Sequence, residues 1–280
     1  YERLLPILAD APNVALGLGA HPWWIADGRV GEVERDRFCE LARATRFIGE
    51  IGLDFAGPRD TEESRVRQTG AFARILAACD QPVAPSAAGD LASKLISIHA
   101  VNAAATALNL LEAAGTLARH QVIFHWFSGA SDDLHRAIKL GCFFSVGPRM
   151  LASRRGREYA RQIPVSQLLL ETDMPARAGD KLPAEVWRAE LDNALSGIAL
   201  FNDLFPDKLV GTHIDAPGRL VGDQKLRVRG KFPCDYDLLH ISAGQHTDRL
   251  IVILAEDAEV ADKFICPFMD IFIIEKSVFF

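Results

Sequence analysis

Ile48-Gly49-Glu50-Ile51-Gly52-Leu53-Asp54 is an apolar run with a carboxylate set inside it. Extended back to Arg46, it reads as a strand over Arg46 to Leu53, apolar on both faces, as a parallel strand covered on both sides must be. A carboxylate in such a strand is costly to bury unless a metal, a cation or several donors meet it. Glu50 is therefore either a functional group or one half of an ion pair with a residue such as Arg46.

Outward from this run the same texture repeats. Asn13 to Gly19, Leu95 to His99, Gln121 to Trp126, Gly141 to Val146 and Gln167 to Thr172 are short apolar runs rich in Ile, Val, Leu or Phe. Helical patterns separate them, at Glu32 to Ala44, Glu62 to Cys79, Asn102 to Ala114, Asp132 to Leu140, Ser153 to Gln162 and Ala184 to Phe201. Such alternation means a parallel sheet with helices outside it. The fold class is α/β, a TIM-like (β/α) barrel with six recognisable strands where about eight close the common barrel. Gln81 to Asp90, rich in Pro, Ala, Ser and Gly, reads as an irregular loop. The alternation occupies residues 1–222. Residues 223–280 form an extra C-terminal segment with strand-like runs at Asp237 to Ile241, Leu250 to Ala255 and Ile271 to Ile274, and a helical pattern at Glu256 to Phe264.

With 280 residues, 49% hydrophobic and 24% charged, the chain has the composition of a globular protein with a sizeable core. No apolar run reaches the roughly 18 residues of a membrane span. Tyr1-Glu2-Arg3 lacks the order of a signal peptide and lacks a methionine, as in a chain that begins inside a longer product. The cysteines Cys39, Cys79, Cys142, Cys234 and Cys266 are odd in number and show no CxxC spacing, which points to a reducing cytoplasm rather than a disulfide framework. A net charge of −6 excludes broad electrostatic attraction to nucleic acid, but not a nucleic-acid substrate approached through bound metal ions.

The polar residues of interest fall at the C-terminal ends of the expected strands, which converge on one mouth in a barrel. Glu50, His99, His125 and Asp173 are the candidate metal ligands, because two imidazoles and two carboxylates suit divalent zinc, manganese or magnesium. A lone histidine at a strand end is more often a hydrogen-bonded rim residue. It is the recurrence at four strand ends that changes the reading. His21 is a candidate substrate contact or a rim residue fixed by Pro22. Asp54 is a candidate for orienting a ligand histidine, or else a loop cap. Trp23 and Trp24 either stack on bases or cover the core. Thr212-His213-Ile214-Asp215 reads more simply as part of a last helix than as a metal site.

Gly49-Glu50-Ile51-Gly52-Leu53-Asp54, Ser97-Ile98-His99, His125-Trp126-Phe127-Ser128-Gly129 and Glu171-Thr172-Asp173-Met174-Pro175 together resemble the signature blocks of the TatD family of metal-dependent deoxyribonucleases, in the family's order. Gly19-Ala20-His21-Pro22 resembles its Gly-x-His-Pro block. His125-Trp126-Phe127-Ser128-Gly129, followed by Gly141 to Pro148, is most similar to TatD-like proteins of Qat-type anti-phage systems. The resemblance implies a metal-dependent hydrolase barrel with one or two divalent ions and phosphodiester hydrolysis, commonly 3′–5′ exonucleolytic on DNA. It implies that Glu50 bridges the ions, that His99 and His125 hold one, and that Asp173 helps to hold the other and acts with Glu50 in catalysis on the attacking water. Protein partners in a defence system are a further implication.

The family's opening strand carries His-x-His, and no such pair occurs here, so its first two strands are expected to be missing. With Glu50 and Asp173 alone on the second ion, at most one ion is expected to be held tightly. The family's His-x-Arg reads His99-Ala100-Val101, leaving Arg149 or Arg177 to supply positive charge at the mouth. The alternatives are a catalytically impaired interaction subunit, or an amidohydrolase-like enzyme acting on a small substrate. Because an open barrel exposes two strand edges, one or more strands of the C-terminal segment are expected to fill the gap between Asn13–Gly19 and Gln167–Thr172.

Overall fold

A computed structural model of the chain describes residues 1–8, 14–81, 93–173, 186, 189, 251–253 and 271–274. The strands are β1 Val14–Gly17, β2 Phe47–Asp54, β3 Leu95–Val101, β4 Gln121–His125, β5 Phe143–Val146, β6 Leu168–Leu170, β7 Ile251–Ile253 and β8 Ile271–Ile274. The helices are α1 Leu5–Leu8, α2 Pro22–Ala26, α3 Glu32–Ala44, α4 Glu62–Cys79, α5 Ala104–Ala113, α6 Ser131–Lys139, α7 Pro148–Ala152 and α8 Arg154–Gln162. All six strands expected before residue 222 are present. α8 begins one residue later than expected because Ser153 caps it, accepting from the Gly156 N–H. Of the helix expected over 184–201, only Val186 and Ala189 lie within the described residues, and both are helical.

β2, β3, β4, β5 and β6 pair in parallel in that order. β2 and β3 run in register with Gly52 opposite His99, and β3 and β4 with His99 opposite His125. β2 is buried along all but its first residue, as its continuous apolar pattern requires. α4 lays Gln68, Ala71, Phe72, Ile75, Leu76 and Cys79 against the sheet, a stripe at helical spacing. Gln68 is the polar member of that stripe. Its side-chain oxygen accepts from the Asp54 N–H at 2.7 Å, and its amide donates to the Asp54 carbonyl at 2.9 Å, which fixes the end of β2. At the opposite end, Lys94 donates from Nζ to the carbonyls of Ala42, Arg43 and Thr45, tying the end of α3 to the start of β3.

Two of the three strand-like runs of the C-terminal segment are among the described residues, and with β1 they form a second, three-stranded parallel sheet of order β1–β8–β7. β8 pairs in parallel with β1, Val14 opposite Ile271 through Gly17 opposite Ile274, and β7 pairs in parallel with β8. β1 continues beside β2 through the Leu18–Ile48 bridge, and β7 lies alongside β6. The two sheets thus lie edge to edge, joined by the Leu18–Ile48 bridge on one side and by contact without ladder pairing between β6 and β7 on the other, with the two C-terminal strands between β6 and β1. The run Asp237 to Ile241, the helical pattern Glu256 to Phe264 and the boundary at 222 lie outside the described residues.

Candidate metal centre

Glu50, His99, His125 and Asp173 come together at the C-terminal mouth of the sheet, and His21 joins them. β3 and β4 hold His99 opposite His125, Glu50 lies in the irregularity between Ile48 and Ile51 where β2 shifts register against β3, and Asp173 follows β6. His21 arrives from the turn after β1, where it caps α2. Arg46 does not pair with Glu50; its guanidinium lies over the Phe47 ring. Trp126 (φ 38°) and Asp173 (φ 51°) hold left-handed backbone at this mouth. Such conformations cost roughly 1–3 kcal/mol each in a non-glycine residue and persist where the surrounding structure fixes them.

Two groups share Glu50: His21, Glu50 and His99, and Glu50, His125 and Asp173. His21 Nε2 and His99 Nδ1 each lie 3.3 Å from Glu50 Oε2. His125 Nε2 lies 3.9 Å from Glu50 Oε1 and 3.6 Å from Asp173 Oδ1. Donors around one tetrahedral ion, at bonds of about 2.0–2.2 Å, stand roughly 3.4 Å apart. The separations fit that spacing.

Hydrogen bonds fix which ring nitrogen can serve each ion. Asp54 Oδ2 lies 3.1 Å from His99 Nε2 and also accepts from Trp23 Nε1–H, so the His99 proton sits on Nε2 and the Nδ1 lone pair faces Glu50. Glu171 Oε2 accepts from His125 Nδ1 and from Ser145 Oγ–H, so the His125 Nε2 lone pair faces Glu50 and Asp173. His21 is arranged the other way. Its Nδ1 accepts from the Trp23 backbone N–H at 3.2 Å, which leaves the proton of a neutral ring on Nε2, turned to Glu50. His21 therefore suits donation to an anion better than metal ligation, despite its place in the first group.

The donor atoms fall into one group of Glu50, His125 and Asp173 and another of His21, Glu50 and His99, whereas the family resemblance implies one ion held by His99 and His125 together. The His99 and His125 rings are 6.4 Å apart and turn to different oxygens of Glu50. The group with three suitable donors is Glu50, His125 and Asp173, while His99 shares only Glu50. Asp54 faces His99 Nε2 through Oδ2, and its Oδ1 accepts from the Ala56 N–H. Trp24 belongs to the core, whereas Trp23 lies at the mouth with its ring 6.2 Å from that of His99. Arg149 lies beside Asp173, and Arg177 falls outside the described residues. Glu171 and Ser145 were not anticipated. The buried carboxylate at the end of an apolar strand was the signal for Glu171, the same signal that singled out Glu50.

The donor set fits a divalent cation. Glu50 is 1% exposed, and neither of its carboxylate oxygens accepts a hydrogen bond. The contacts at 3.3–3.9 Å lie off the hydrogen-bond direction, and with the rings neutral, as metal ligation requires, two of the three would present lone pairs to an anion. Burial alone would raise the Glu50 carboxyl, yet the charge of His125 and the neighbouring imidazoles hold it well below the usual range. Burial would lower His125, but the charges of Glu171 and Glu50 push it up to about 10. Burial likewise opposes ionisation of Asp54, and its bonds from His99 and Trp23 nevertheless bring it down to about 2. Four carboxylates facing three imidazoles call for added positive charge, which a metal supplies with better geometry than a proton.

Replacing Glu171 with glutamine removes the anion behind His125 while keeping its size. Metal affinity is expected to fall by roughly tenfold to hundredfold, measured by calorimetric titration with Mn²⁺, with the melting temperature of the metal-free chain held. Unchanged affinity would show that Glu171 does not set the His125 tautomer.

A ring of parallel strands with histidines and carboxylates at its C-terminal mouth is the architecture of metal-dependent hydrolase barrels. The family model of TatD-related DNases matches residues 1–209, and the chain belongs to that family. It is 30% identical to human deoxyribonuclease TATDN3 over 139 residues, 48% of this chain and 44% of that protein. It is 31% identical over 145 residues to the 3′-5′ ssDNA/RNA exonuclease TatD of Citrobacter koseri, half of each chain. The chain thus spans about half the length of the curated relatives it matches. YJJV, the TatD homolog from Escherichia coli k12, superposes with a TM-score of 0.54 at 20% identity, covering 73% of this chain and 74% of that one. That likeness supports the α/β barrel class. No helix among the described residues is long and apolar enough to cross a membrane.

Proposed function

We propose that the chain is a metal-dependent phosphodiesterase acting on DNA, shortening single strands from the 3′ end. The observation that carries this reading is Glu50, a buried carboxylate whose two oxygens take no hydrogen bond and face the lone pairs of His99 and His125. In this reading Glu50, His125 and Asp173 would hold one ion, and Glu50 with His99 would hold a second more weakly. Bound ions of this kind lower the pKa of water towards neutrality and offset charge that develops on the phosphate. Asp173, 17% exposed where Glu50 is buried, would accept the proton of the attacking water. His21 presents its Nε2–H to the same space and can donate to a phosphate oxygen. Asp54 and Glu171 keep the two ligand rings in the required tautomers.

The same reading places the protein in the cytoplasm, on its buried free thiols at Cys39, Cys79 and Cys142. It also gives the protein partners in a defence system, on the wording of residues 125–129; co-purification with the products of adjacent genes checks this.

The test is a 5′-labelled single-stranded oligonucleotide incubated with the full chain and Mn²⁺ or Mg²⁺, with metal content measured after dialysis. The expected result is progressive 3′ shortening, abolished by EDTA, with about one ion retained per chain on the affinity order above. A chain that retains metal but leaves the oligonucleotide intact would refute the nuclease reading and favour an interaction subunit. Cleavage of lactones or amides alone would favour the small-substrate enzyme.

A further inference from the structure

Arg59 ends the short 3₁₀ turn Gly57–Arg59 in the segment between β2 and α4, on the same mouth as the metal centre. Its guanidinium carbon lies 4.8 Å from the centre of the Trp23 ring, within cation–π range. Its Nε lies 3.5 Å from Asp54 Oδ1, too long for a hydrogen bond, and that nitrogen is buried with no hydrogen-bond partner. The side chain is still 25% exposed. Arg35, Arg37, Arg65, Arg67, Arg74, Arg119, Arg136 and Arg161 each have a close carboxylate partner. Arg59 is held differently from these: an indole face braces it, it is ion-paired to Asp54 through Nε alone, and no described residue hydrogen-bonds its guanidinium.

A guanidinium held in place at low entropy, with donors to spare, matches the planar, bidentate geometry of a phosphate. The brace runs directly to the metal centre, because Trp23 Nε1–H and His99 Nε2 share Asp54 Oδ2. We propose that Arg59 grips a backbone phosphate of the nucleic-acid strand neighbouring the one to be cleaved, so that the chain acts on a polynucleotide rather than on an isolated phosphate diester. This rests on the nuclease reading above. Trp23 and Asp54 then have two tasks: they hold the ligand His99 on one side and the strand-binding Arg59 on the other.

The experiment compares two substrates that differ in the neighbouring phosphate. One is a single-stranded oligodeoxynucleotide; the other is bis(p-nitrophenyl) phosphate, which carries one diester and nothing beside it. Arg59→Gln is expected to lower kcat/KM on the oligonucleotide by roughly tenfold to hundredfold, the worth of a charge-assisted hydrogen bond, mainly through KM. The oligonucleotide loss should exceed the loss on the small diester by about tenfold or more. Arg59→Lys should recover part of the difference, and the salt dependence of oligonucleotide binding should flatten by about 0.7 in log–log slope for one lost phosphate contact. Equal losses on both substrates would overturn the proposal and make Arg59 a positioning residue acting on His99 through Asp54. Oligonucleotide kinetics unchanged in Arg59→Gln would overturn it as well. If the unmodified chain with bound metal cleaves neither substrate, the nuclease reading itself falls, and this proposal falls with it.

Discussion

Replacing Glu50 with alanine is expected to lower oligonucleotide cleavage by at least about a thousandfold, equivalent to about 4 kcal/mol of lost transition-state stabilisation. Glu50 is the one residue common to both groups of candidate ligands, so its removal disables both ion positions at once. The same variant should retain no ion after dialysis. The charge of His125 and the neighbouring imidazoles stabilise the Glu50 carboxylate without metal, so the melting temperature in EDTA is expected to fall, and activities are compared at a temperature where the variant stays folded. The rise on adding Mn²⁺ is expected to disappear. Activity within tenfold of the unmodified chain would place the ions elsewhere.

The second large effect concerns stability. Gly52 has φ +135°, and a Cβ placed there would stand 2.1 Å from the carbonyl oxygen of His99. The obstacle is backbone of the paired strand, so a side chain cannot turn away to make room. Gly52→Ala must either separate β2 from β3 or change a backbone conformation that side chains rarely adopt. We expect a loss of about 4 kcal/mol or more in urea unfolding, in the range that only severe core lesions reach. Because Gly52 pairs with His99, metal affinity should fall in the same variant even at temperatures where it stays folded. A stability change under about 1 kcal/mol would contradict the packing described here.

The parts legible in the sequence are those written in short-range pattern. Continuous apolar runs located β1 to β6, and a carboxylate or histidine at the end of such a run located Glu50, His99 and His125. The position of β7 and β8 beside β1 followed from an argument about exposed strand edges, since nothing local in Ile271-Phe272-Ile273-Ile274 says which strand it pairs with. What the sequence did not disclose depends on contacts between distant residues. Which nitrogen of His99 or His125 is proton-bearing is decided by Asp54 and Glu171, the first 45 and the second 46 positions away. The grouping of His125 with Asp173 follows from those tautomers. Gln68 reads as an ordinary polar residue in α4 until its bonds to both sides of the Asp54 backbone are seen. Arg59 looks like a loop arginine, and what sets it apart is its place at the mouth, over the Trp23 ring and beside the Asp54 that also faces His99.

The central claim is that Glu50 carries the ions, with His125 and Asp173 on one oxygen and His99 on the other. It is tested most directly by anomalous diffraction from crystals of the full chain soaked in Mn²⁺. The account predicts a strong peak within bonding distance of Glu50 Oε1, His125 Nε2 and Asp173, and a weaker one between Glu50 Oε2 and His99 Nδ1. A strong peak bonded to His21 Nε2, or peaks that leave Glu50 without a metal, would contradict it.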